Sequence, residues 1–201
     1  MLFMQDDQSA ASDAAMRAMF EARKRVFIDL LGWDLPVLAG KYEVDRYDDV
    51  HARYLILTDA HQNHLASARL LPTTRPHILG DLFAELCDVP PPRGPGTFEI
   101  TRFCLERNLR AHERRRWRGA LVAALAHYAL DHGITTYTGV AEQAWLDQIL
   151  QFGWQAEPLG RPRRIDTMML AALRIDIAAD TPALLAANGI RAEIQLEREA
   201  A

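Results

Sequence analysis

The run Thr97-Phe-Glu-Ile-Thr-Arg-Phe-Cys-Leu105 is the most strand-like stretch of the chain, because β-branched and aromatic residues recur in it. Its apolar positions alternate and then change phase near Arg102, which indicates a bulge. Two charged residues, Glu99 and Arg102, stand inside the run. Charges on a central strand are costly unless they are paired or used for function. We therefore expect this strand to contribute functional groups as well as a place in the sheet.

The residues after this run predict alternating helices and strands. A helix with an apolar face covers residues 117–130, and Gly133 suits its C-terminal cap. Residues 134–140, rich in Thr, Tyr and Val, form a predicted central strand. The remaining predictions are a helix over 142–152, a long strand or bent strand pair over 164–177, and a terminal helix over 181–187.

The residues before the run predict a helix and a hairpin. Asp13 is a candidate N-cap for an amphipathic helix that ends near Gly32, and an ordered loop covers residues 31–48. Two apolar strands over 54–58 and 64–71 flank a polar turn and form an antiparallel hairpin. Two further segments are a short helix over 78–86 and a Pro-Gly connection over 89–96. This order predicts an α/β fold in which helices pack on a mixed sheet.

The composition indicates a soluble protein with one core. The 201 residues are 49% hydrophobic and 25% charged, with a formal net charge of −4, whereas nucleic-acid binders usually have a basic balance. The two cysteines, Cys87 and Cys104, fit neither a metal-binding spacing nor a disulfide framework. The N-terminus has no basic n-region, and the longest apolar run, residues 119–130, is too short to span a bilayer. We therefore expect a single cytoplasmic domain over residues 1–201 that binds neither nucleic acid nor a membrane.

Between Arg25 and Phe103 the chain carries an ordered set of charged and aromatic residues: Arg25-Val-Phe27, Trp33, Glu43-Val-Asp45, Tyr47-Asp48, Arg69-Leu-Leu-Pro-Thr73, Pro76, Phe83 and Glu99-Ile-Thr-Arg102-Phe103. In residue types, order and spacing this set resembles the autoinducer synthases, the acyl-homoserine-lactone synthases of bacterial quorum sensing. The C-terminal half of the chain resembles that family only loosely. Thr101 stands where the family more often has serine, and it keeps the hydroxyl.

The resemblance implies a fold and a reaction. The fold is an N-acyltransferase (GNAT)-like three-layer sandwich, in which helices flank a mixed, largely antiparallel sheet. In the reaction, the amine of S-adenosylmethionine (SAM) attacks the thioester carbonyl of an acyl donor. The methionine carboxylate then attacks its own γ-carbon, closes the lactone and expels methylthioadenosine. The donor is acyl-CoA or an acyl carrier protein, and the product acts on a separate transcriptional receptor. The sequence itself predicts no metal, because its seven histidines are scattered and no H-x-x-x-H pair has acids nearby.

The resemblance places the SAM site in residues 13–105. It assigns Glu99 as the general base, acting through a water, with Asp45, Asp48 and Arg69 as further catalytic residues. Asp45 and Asp48 suit an ammonium or a sulfonium, although a solvated turn or an N-cap is the alternative for two acids at this spacing. Arg69 at a strand end needs an anion, which is Asp45, Asp48 or the substrate carboxylate. The expected SAM contacts are Arg25, Phe27, Trp33, Asp45, Asp48, Arg69, Arg102 and Phe103.

Aromatic side chains have a binding role or a packing role. Phe27 and Trp33 suit stacking on adenine or a cation–π contact with the sulfonium, and core packing is the alternative. The resemblance places the acyl chain after the long helix, in a slot lined by Thr138, Trp145, Leu146, Ile149 and Phe152. Core packing is the alternative for each of these residues. The hydroxyl of Thr138 suits a hydrogen bond to a 3-oxo or 3-hydroxy group. The bulk of Trp145 and Trp154 favours a short, branched or aromatic acyl group.

Arginines cluster near the predicted start of the long helix, in the C-terminal part of the domain, residues 106–201. Their charge suits CoA phosphates or an acidic carrier protein, and backbone N–H groups at a helix start can hold a phosphate. The carrier-binding candidates are Arg114, Arg115, Arg116, Arg118 and Gly119. A solvated basic face is the alternative, and RNA binding is a third possibility without an aromatic-interleaved pattern to support it. Within the family, the motifs Trp145-Leu146 and Pro158-Leu-Gly-Arg-Pro162 look somewhat more like those of the branch that uses acyl-CoA.

Two other functions stay open at this point. One is an N-acyltransferase that acts on a different amine, and it would not need the set of residues from Arg25 to Asp48. The other is a non-catalytic module that binds a carrier protein or nucleic acid through the arginine cluster. Such a module would keep its function without Glu99 or Asp45.

Overall fold

The computed structural model describes residues 2–4 and 10–192, and within them the chain forms two compact units. Unit 1 comprises residues 2–4, 10–69, 102–124 and 192. Unit 2 comprises residues 70–101 and 125–191. Both units are discontinuous in sequence. The expected division into a SAM part, residues 13–105, and an acyl-chain and carrier part, residues 106–201, stays a prediction.

Helices and strands are interspersed along the whole chain. The first elements are β1 (Leu2–Met4), α1 (Ala10–Arg23) with a π-helical turn over Lys24–Ile28, β2 (Val37–Leu38), β3 (Tyr42–Glu43), β4 (Arg53–Thr58) and β5 (His64–Pro72). They are followed by α2 (Ile78–Leu82), a 3-10 turn over Ala84–Leu86, β6 (Thr97–Leu105), α3 (Ala111–Asp131) and β7 (Thr136–Glu142). The last are α4 (Gln143–Ile149), β8 (Gln155–Pro158), β9 (Arg163–Ile165), β10 (Met168–Asp176) and α5 (Thr181–Ala187).

Unit 1 is built around strand β4. Strand β1 pairs antiparallel with β4, and β4 neighbours β5. Leu55, Ile56 and Leu57 of β4 are all buried, which means that both faces of the strand are covered. Helix α1 contacts β3 and β4, and β2 and β3 form a separate two-stranded hairpin. Residues of α1, β3 and β4 are therefore held close to one another.

Unit 2 contains the mixed part of the sheet. Its strand order is β6-β7-β10-β8, with β9 paired to β10. Strands β6 and β7 are parallel, and β10 is antiparallel to β7, β8 and β9. The predicted mixed, largely antiparallel sheet is thus confirmed. Leu79 and Leu86 pack with Leu170 and Ala172 of β10 in one apolar cluster.

Most predicted elements are confirmed, and the differences have physical reasons. The strand Thr97–Leu105 and the helix Thr181–Ala187 have the predicted bounds, and Gly133 takes a φ of +67° after α3. Asp13 lies within α1 rather than at its cap, and the loop over residues 31–48 contains the hairpin of β2 and β3. Strands of two residues leave no periodic signal in a sequence. In the described part of the chain, no helix combines the length and apolar character needed to cross a membrane.

His64 makes the stability of unit 1 depend on pH. It is buried at the start of β5, and its Nε2 lies 2.9 Å from Ser67 Oγ. Burial lowers its pKa from 6.5 to about 4. Between these two values the unfolded chain binds a proton that the folded protein does not, so stability is lost as the pH falls. We expect the free energy of unfolding to drop by up to about 3 kcal/mol across this window.

Urea unfolding between the two pKa values checks this prediction. His64→Gln should flatten the pH dependence, because glutamine does not titrate. His51→Gln is the control at an exposed position and should leave the slope unchanged. An equal slope in the wild-type protein and His64→Gln would contradict the assignment.

Candidate active site

Arg23 is buried in unit 1 because it lies on the apolar stripe of α1. Ala15, Met19 and Arg23 follow one another at four-residue intervals, and all three are buried. Its Nε donates to Glu43, and its Nη1 and Nη2 donate to the two Asp48 oxygens at 2.8 and 2.9 Å. Burial alone would lower the pKa of Arg23, but the bonds to Asp48 and Glu43 raise it. A buried guanidinium with two anionic partners is therefore fixed in position.

Asp45 and Asp48 occupy a tight turn that their own side chains close. The Asp48 N–H donates to the Asp45 carbonyl at 3.0 Å. The Asp45 N–H donates to Asp48 Oδ2, and the Tyr47 N–H donates to Asp45 Oδ1, both at 2.8 Å. Such contacts are typical of acids in turns. The turn holds the two carboxylates side by side.

Arg69 and Arg102 bind the same acids. Nη1 and Nη2 of Arg69 donate to the Asp45 oxygens at 2.6 and 3.0 Å, and Nη1 lies 2.8 Å from Asp48 Oδ1. Nη2 of Arg102 lies 2.8 Å from Asp45 Oδ2 and 3.1 Å from Glu43 Oε1. The anion that Arg69 needs is thus supplied by both aspartates. We call these six residues the ion cluster: Arg23, Glu43, Asp45, Asp48, Arg69 and Arg102.

The backbone of Arg102 carries the interruption that the sequence predicts in β6. Its φ is +49°, in the left-handed region that non-glycine residues seldom adopt. A strand residue in this conformation breaks the regular alternation of side chains, as in a bulge. The side chain of Arg102 forms ion pairs with Glu43 and Asp45. The unfavourable backbone conformation therefore lies at a residue with two charged partners.

The ion cluster pairs three guanidinium groups with three carboxylates, so its formal charges cancel. Burial acts to raise the pKa values of Asp45 and Asp48, but bonds to Arg69 and Arg23 hold both below their usual range. Oxygens of the three acids lie within 4.8 Å of one another, a spacing that a metal ion would also accept, yet guanidinium groups supply the positive charge. The side chains of Asp45 and Arg102 are 11% and 9% exposed, and those of the other four members at most 2%. Asp45 and Arg102 are therefore the most accessible members of the ion cluster.

An aromatic pair adjoins the ion cluster. The rings of Phe27 and Trp33 stack with centroids 5.0 Å apart and an interplanar angle of 22°. Arg102 Cζ lies 5.6 Å from the Phe27 ring centroid. Phe27 is buried, whereas Trp33 and Phe103 are half-buried. The pair thus packs in unit 1 and also meets the more accessible side of the ion cluster.

Arg25 lies outside the ion cluster. Its Nη2 pairs with Glu106 at 2.8 Å, its Nη1 lies 3.9 Å from Glu21, and its side chain is 41% exposed. Arg23, two residues earlier in the chain, lies among the acids instead, and the expected SAM contact of Arg25 stays a prediction. The sequence holds a signal for the burial of Arg23, because this residue follows the apolar Met19 by four residues and shares its face of the helix. A charge on an apolar stripe is evidence of a buried ionic partner.

Glu99 is buried in unit 2. Its Oε1 accepts the backbone N–H of Leu79, near the start of α2, at 2.9 Å. Glu99 stands opposite Thr138 in the parallel register of β6 and β7, so the two side chains lie on the same face. The buried Oγ1 of Thr138 has no hydrogen-bond partner among the described residues. The candidate base and the candidate acyl-contacting hydroxyl are therefore neighbours.

The other residues expected to line the acyl slot gather around helix α4, which contacts β7. Leu146 and Ile149 are buried, and the rings of Trp145 and Phe152 meet edge to face with centroids 5.7 Å apart. Trp154 extends this group, with its ring 5.9 Å from Phe152 and its Nε1 donating to the Ile149 carbonyl at 2.9 Å. The hydrogen bond and the ring contacts fix Trp145, Phe152 and Trp154 in place, and we call these three residues the aromatic wall.

The arginines expected at a helix start lie inside a helix instead, because α3 begins at Ala111. Arginine is a good helix former, which explains the early start. Backbone N–H groups of this region bond within the helix, as the Arg114 N–H does to the Arg110 carbonyl at 2.8 Å. The expectation that backbone N–H groups over residues 114–119 hold a phosphate is therefore wrong. Only the side chains of these residues are available for that role.

Those side chains differ in exposure. Arg115 and Arg116 are exposed, and Arg118 and Gly119 are half-buried. Arg114 is exposed, and its Nη2 donates to the Arg107 carbonyl at 3.0 Å. Burial, and then the charge of Arg115, lower the pKa of Arg118. The cluster is a basic surface on the first turns of α3.

Known proteins provide an independent test of the resemblance. The family model of the autoinducer synthases matches residues 7–183. The chain belongs to the autoinducer synthases. An acyl-homoserine-lactone synthase of Ralstonia nicotianae is 33% identical to it over 88% of this chain and 89% of that protein. The prediction of an acyltransferase of the acyl-homoserine-lactone synthase type is confirmed.

Solved structures confirm the fold of this autoinducer synthase. The CoA-dependent acyl-homoserine lactone synthase BjaI, solved with SAM and isopentyl-CoA, is 26% identical, and its TM-score is 0.81 over 91% of this chain and 86% of that chain. An acyl-CoA N-acyltransferase from Pseudomonas aeruginosa is 15% identical, with a TM-score of 0.56 over 87% of this chain and 98% of that chain. The second likeness concerns the fold alone, and it confirms the expected N-acyltransferase-like architecture.

Proposed function

We propose that this autoinducer synthase transfers an acyl group from a thioester to the amine of SAM and then closes the lactone, releasing methylthioadenosine. The ion cluster is the observation that carries this proposal. SAM presents an ammonium and a carboxylate on one carbon. The two most accessible members of the ion cluster are a carboxylate, Asp45, and a guanidinium, Arg102. A generic acyltransferase for simple amines has no use for both.

Within the ion cluster, the accessible members bind SAM and the buried members orient them. Asp45 holds the ammonium, and Arg102 holds the carboxylate. Arg23 and Arg69, with Asp48, fix the turn that carries Asp45. Phe27 and Trp33 take the adenine or the sulfonium, for which an aromatic face contributes about 0.5–2 kcal/mol. In this proposal Arg23 takes the place of Arg25.

In the acylation step, Glu99 accepts a proton from the ammonium of SAM through a water. The freed amine forms a C–N bond with the thioester carbonyl carbon, and the C–S bond of the thioester breaks. Two protons leave the nitrogen in all; one is returned to the departing thiolate, and the other passes to solvent. The Leu79 N–H holds Glu99 in one orientation for this transfer.

In the lactonisation step, a carboxylate oxygen of the acylated methionine attacks its γ-carbon. The bond from that carbon to the sulfonium breaks, and its electron pair stays on sulfur. Methylthioadenosine therefore leaves as a neutral thioether, and no proton transfer is needed. Aromatic faces at Phe27 and Trp33 suit the sulfonium until this bond breaks.

For the donor, we infer acyl-CoA with a short or branched acyl group. The rigid wall of Trp145, Phe152 and Trp154 supports a short slot, and BjaI was solved with isopentyl-CoA. The exposed guanidinium groups of Arg115 and Arg116 suit CoA phosphates. An acyl carrier protein is the alternative donor, with the same arginines as its docking surface. SAM and acyl thioesters are cytoplasmic metabolites, so we place the reaction in the cytoplasm, with a separate receptor for the product.

A donor panel tests this function. Purified protein with SAM receives acyl-CoA and acyl-carrier-protein thioesters of the same acyl groups, and mass spectrometry follows the acyl-homoserine lactone. We expect the largest kcat/KM with a short or branched acyl-CoA. A preference for carrier-protein thioesters would reverse the donor assignment, and a preference for long straight chains would reverse the slot assignment.

Thr138 is expected to select donors with a polar group at position 3. Thr138→Val keeps the shape and removes the unpartnered buried hydroxyl. It should lower the preference for 3-oxo over unsubstituted acyl donors by about three- to tenfold, the size of one hydrogen bond. Competition between the two donors in one reaction measures the ratio directly. A ratio equal to that of the wild-type protein would leave Thr138 with a packing role only.

A further inference from the structure

We propose that Tyr54 is a positioning residue of the SAM site, whose phenol fixes the Asp48 carboxylate against Arg23. This inference rests on the proposed function of the ion cluster. Tyr54 stands on β4 and belongs to none of the motifs by which the sequence resembles the family. Its role would be to tie a rigid strand to the turn that carries Asp45.

The contact between Tyr54 and Asp48 is direct. The phenol oxygen donates to Asp48 Oδ1 at 2.7 Å, and the Tyr54 side chain is buried. Burial, together with the charge of Asp48 and its hydrogen bond to the phenol, raises the pKa of Tyr54, so the phenol stays a donor at any working pH. The other donors to Asp48 are Arg23, Arg69 and the Asp45 N–H. Tyr54 is thus the one neutral side-chain donor to this carboxylate among the described contacts.

A shared aromatic support aligns Tyr54 with Arg23. The ring of Phe20 meets the Tyr54 ring edge to face, with centroids 5.9 Å apart and an interplanar angle of 71°. The Cζ of Arg23 lies 5.0 Å from the Phe20 ring centroid. Phe20 therefore contacts two of the three donors to Asp48 Oδ1, Arg23 from α1 and Tyr54 from β4. The arrangement leaves the Asp48 carboxylate a single orientation.

Strand β4 makes Tyr54 a suitable anchor. It lies between β1 and β5 in the strand order, and β5 carries Arg69. Asp48 accepts from both Tyr54 and Arg69, so the turn over residues 45–48 is fastened to two strands. Loss of the phenol would loosen Asp48 and, through the turn, Asp45. The expected consequence is weaker SAM binding without a change in the chemical step.

Tyr54→Phe is the test, and Tyr137→Phe is the matched control. The Tyr137 phenol is also buried, but it donates to the Leu125 carbonyl rather than to a carboxylate of the ion cluster. Both variants lose one buried hydroxyl and should lose a similar amount of thermal stability. Calorimetry gives the Kd for SAM, and initial rates give kcat and the two KM values.

We expect Tyr54→Phe to raise the Kd and KM for SAM about tenfold, with kcat at saturating SAM and the KM for the donor within about twofold. Tyr137→Phe should leave the Kd for SAM within about twofold. Equal SAM affinities in the two variants would overturn the role of Tyr54, as would a loss confined to kcat. A wild-type protein that binds no SAM would instead overturn the proposed function itself.

A second variant, Phe20→Leu, tests the same proposal if Tyr54→Phe does not fold. Phe20→Leu keeps apolar volume and removes the ring that supports both Tyr54 and Arg23. It should shift the Kd for SAM in the same direction, again without a change in the KM for the donor. A Phe20→Leu protein with wild-type SAM affinity would contradict the proposed alignment.

Discussion

Replacement of Arg23 by alanine is expected to abolish lactone synthesis and to lower the free energy of unfolding by about 3–5 kcal/mol. The reason is that the three buried carboxylates would keep their charges with only two guanidinium groups, because Glu43 and Asp48 would each lose one of their two cationic partners. The turn that presents Asp45 would then lose its fixed geometry. Urea unfolding gives the stability change, and SAM calorimetry under conditions where the variant is folded gives the binding loss.

Arg25→Ala is the comparison that distinguishes the two arginines. Its side chain is partly exposed and pairs with Glu106, and exposed pairs of this kind contribute little, about 0–1 kcal/mol. We expect a rate within about threefold of the wild-type rate for this variant. If Arg25→Ala is inactive and Arg23→Ala is active, the assignment from sequence resemblance is right and the ion cluster is only structural.

Replacement of Glu99 by glutamine is expected to slow acylation by about 10²–10⁴-fold while SAM affinity stays within about twofold. Glutamine has nearly the same shape, and its carbonyl can still accept the Leu79 N–H. What it lacks is the ability to take a proton from the amine. Single-turnover kinetics with saturating SAM and donor isolates this step from binding.

Glu106→Gln is the control for the loss of one carboxylate. Glu106 pairs with Arg25 and lies outside the ion cluster, so the acylation rate should stay close to the wild-type rate. The pH dependence of the acylation rate is a second measurement. The loss of rate at low pH should disappear in Glu99→Gln, which lacks the base, and should remain in Glu106→Gln. An unchanged single-turnover rate in Glu99→Gln would exclude Glu99 as the base.

Elements with a strong local pattern could be predicted from the sequence. The strand Thr97–Leu105 alternates apolar residues, and its phase change at Arg102 corresponds to a φ of +49°. The helix Thr181–Ala187 has a proline in its first turn, which marks a start. The hairpin of β2 and β3 has no such pattern, because its strands span two residues each. The start of α3 was obscured by its charged first turns, which carry no apolar periodicity.

The charged residues show what a linear pattern can and cannot give. Asp45, Asp48 and Arg69 are recognisable from the sequence, but the choice among anions for Arg69 needs the fold, since the partners lie 24 and 21 positions away along the chain. Arg23 and Arg25 are both arginines near the end of one helix, and only the helix phase separates the buried one from the exposed one. Resemblance at family-like spacing carries a tolerance of a residue or two, so the choice between Arg23 and Arg25 as the SAM contact stays a prediction.

Tyr54 and Thr138 illustrate two further limits. A tyrosine in an apolar strand is indistinguishable by sequence from a packing residue, and only its bond to Asp48 gives it a functional context. Thr138 could be proposed from the family resemblance, but its place beside Glu99 depends on the parallel register of β6 and β7. Register between strands separated by a helix is not encoded in any local pattern.

The most direct test of the central claim is the stoichiometry of the two products from SAM labelled with ¹⁵N at its amine. Purified protein, labelled SAM and a short-chain acyl-CoA are followed together by mass spectrometry. We expect one ¹⁵N-labelled acyl-homoserine lactone for each methylthioadenosine throughout the time course. Consumption of thioester without methylthioadenosine and without labelled lactone would contradict this reaction and favour a generic N-acyltransferase instead.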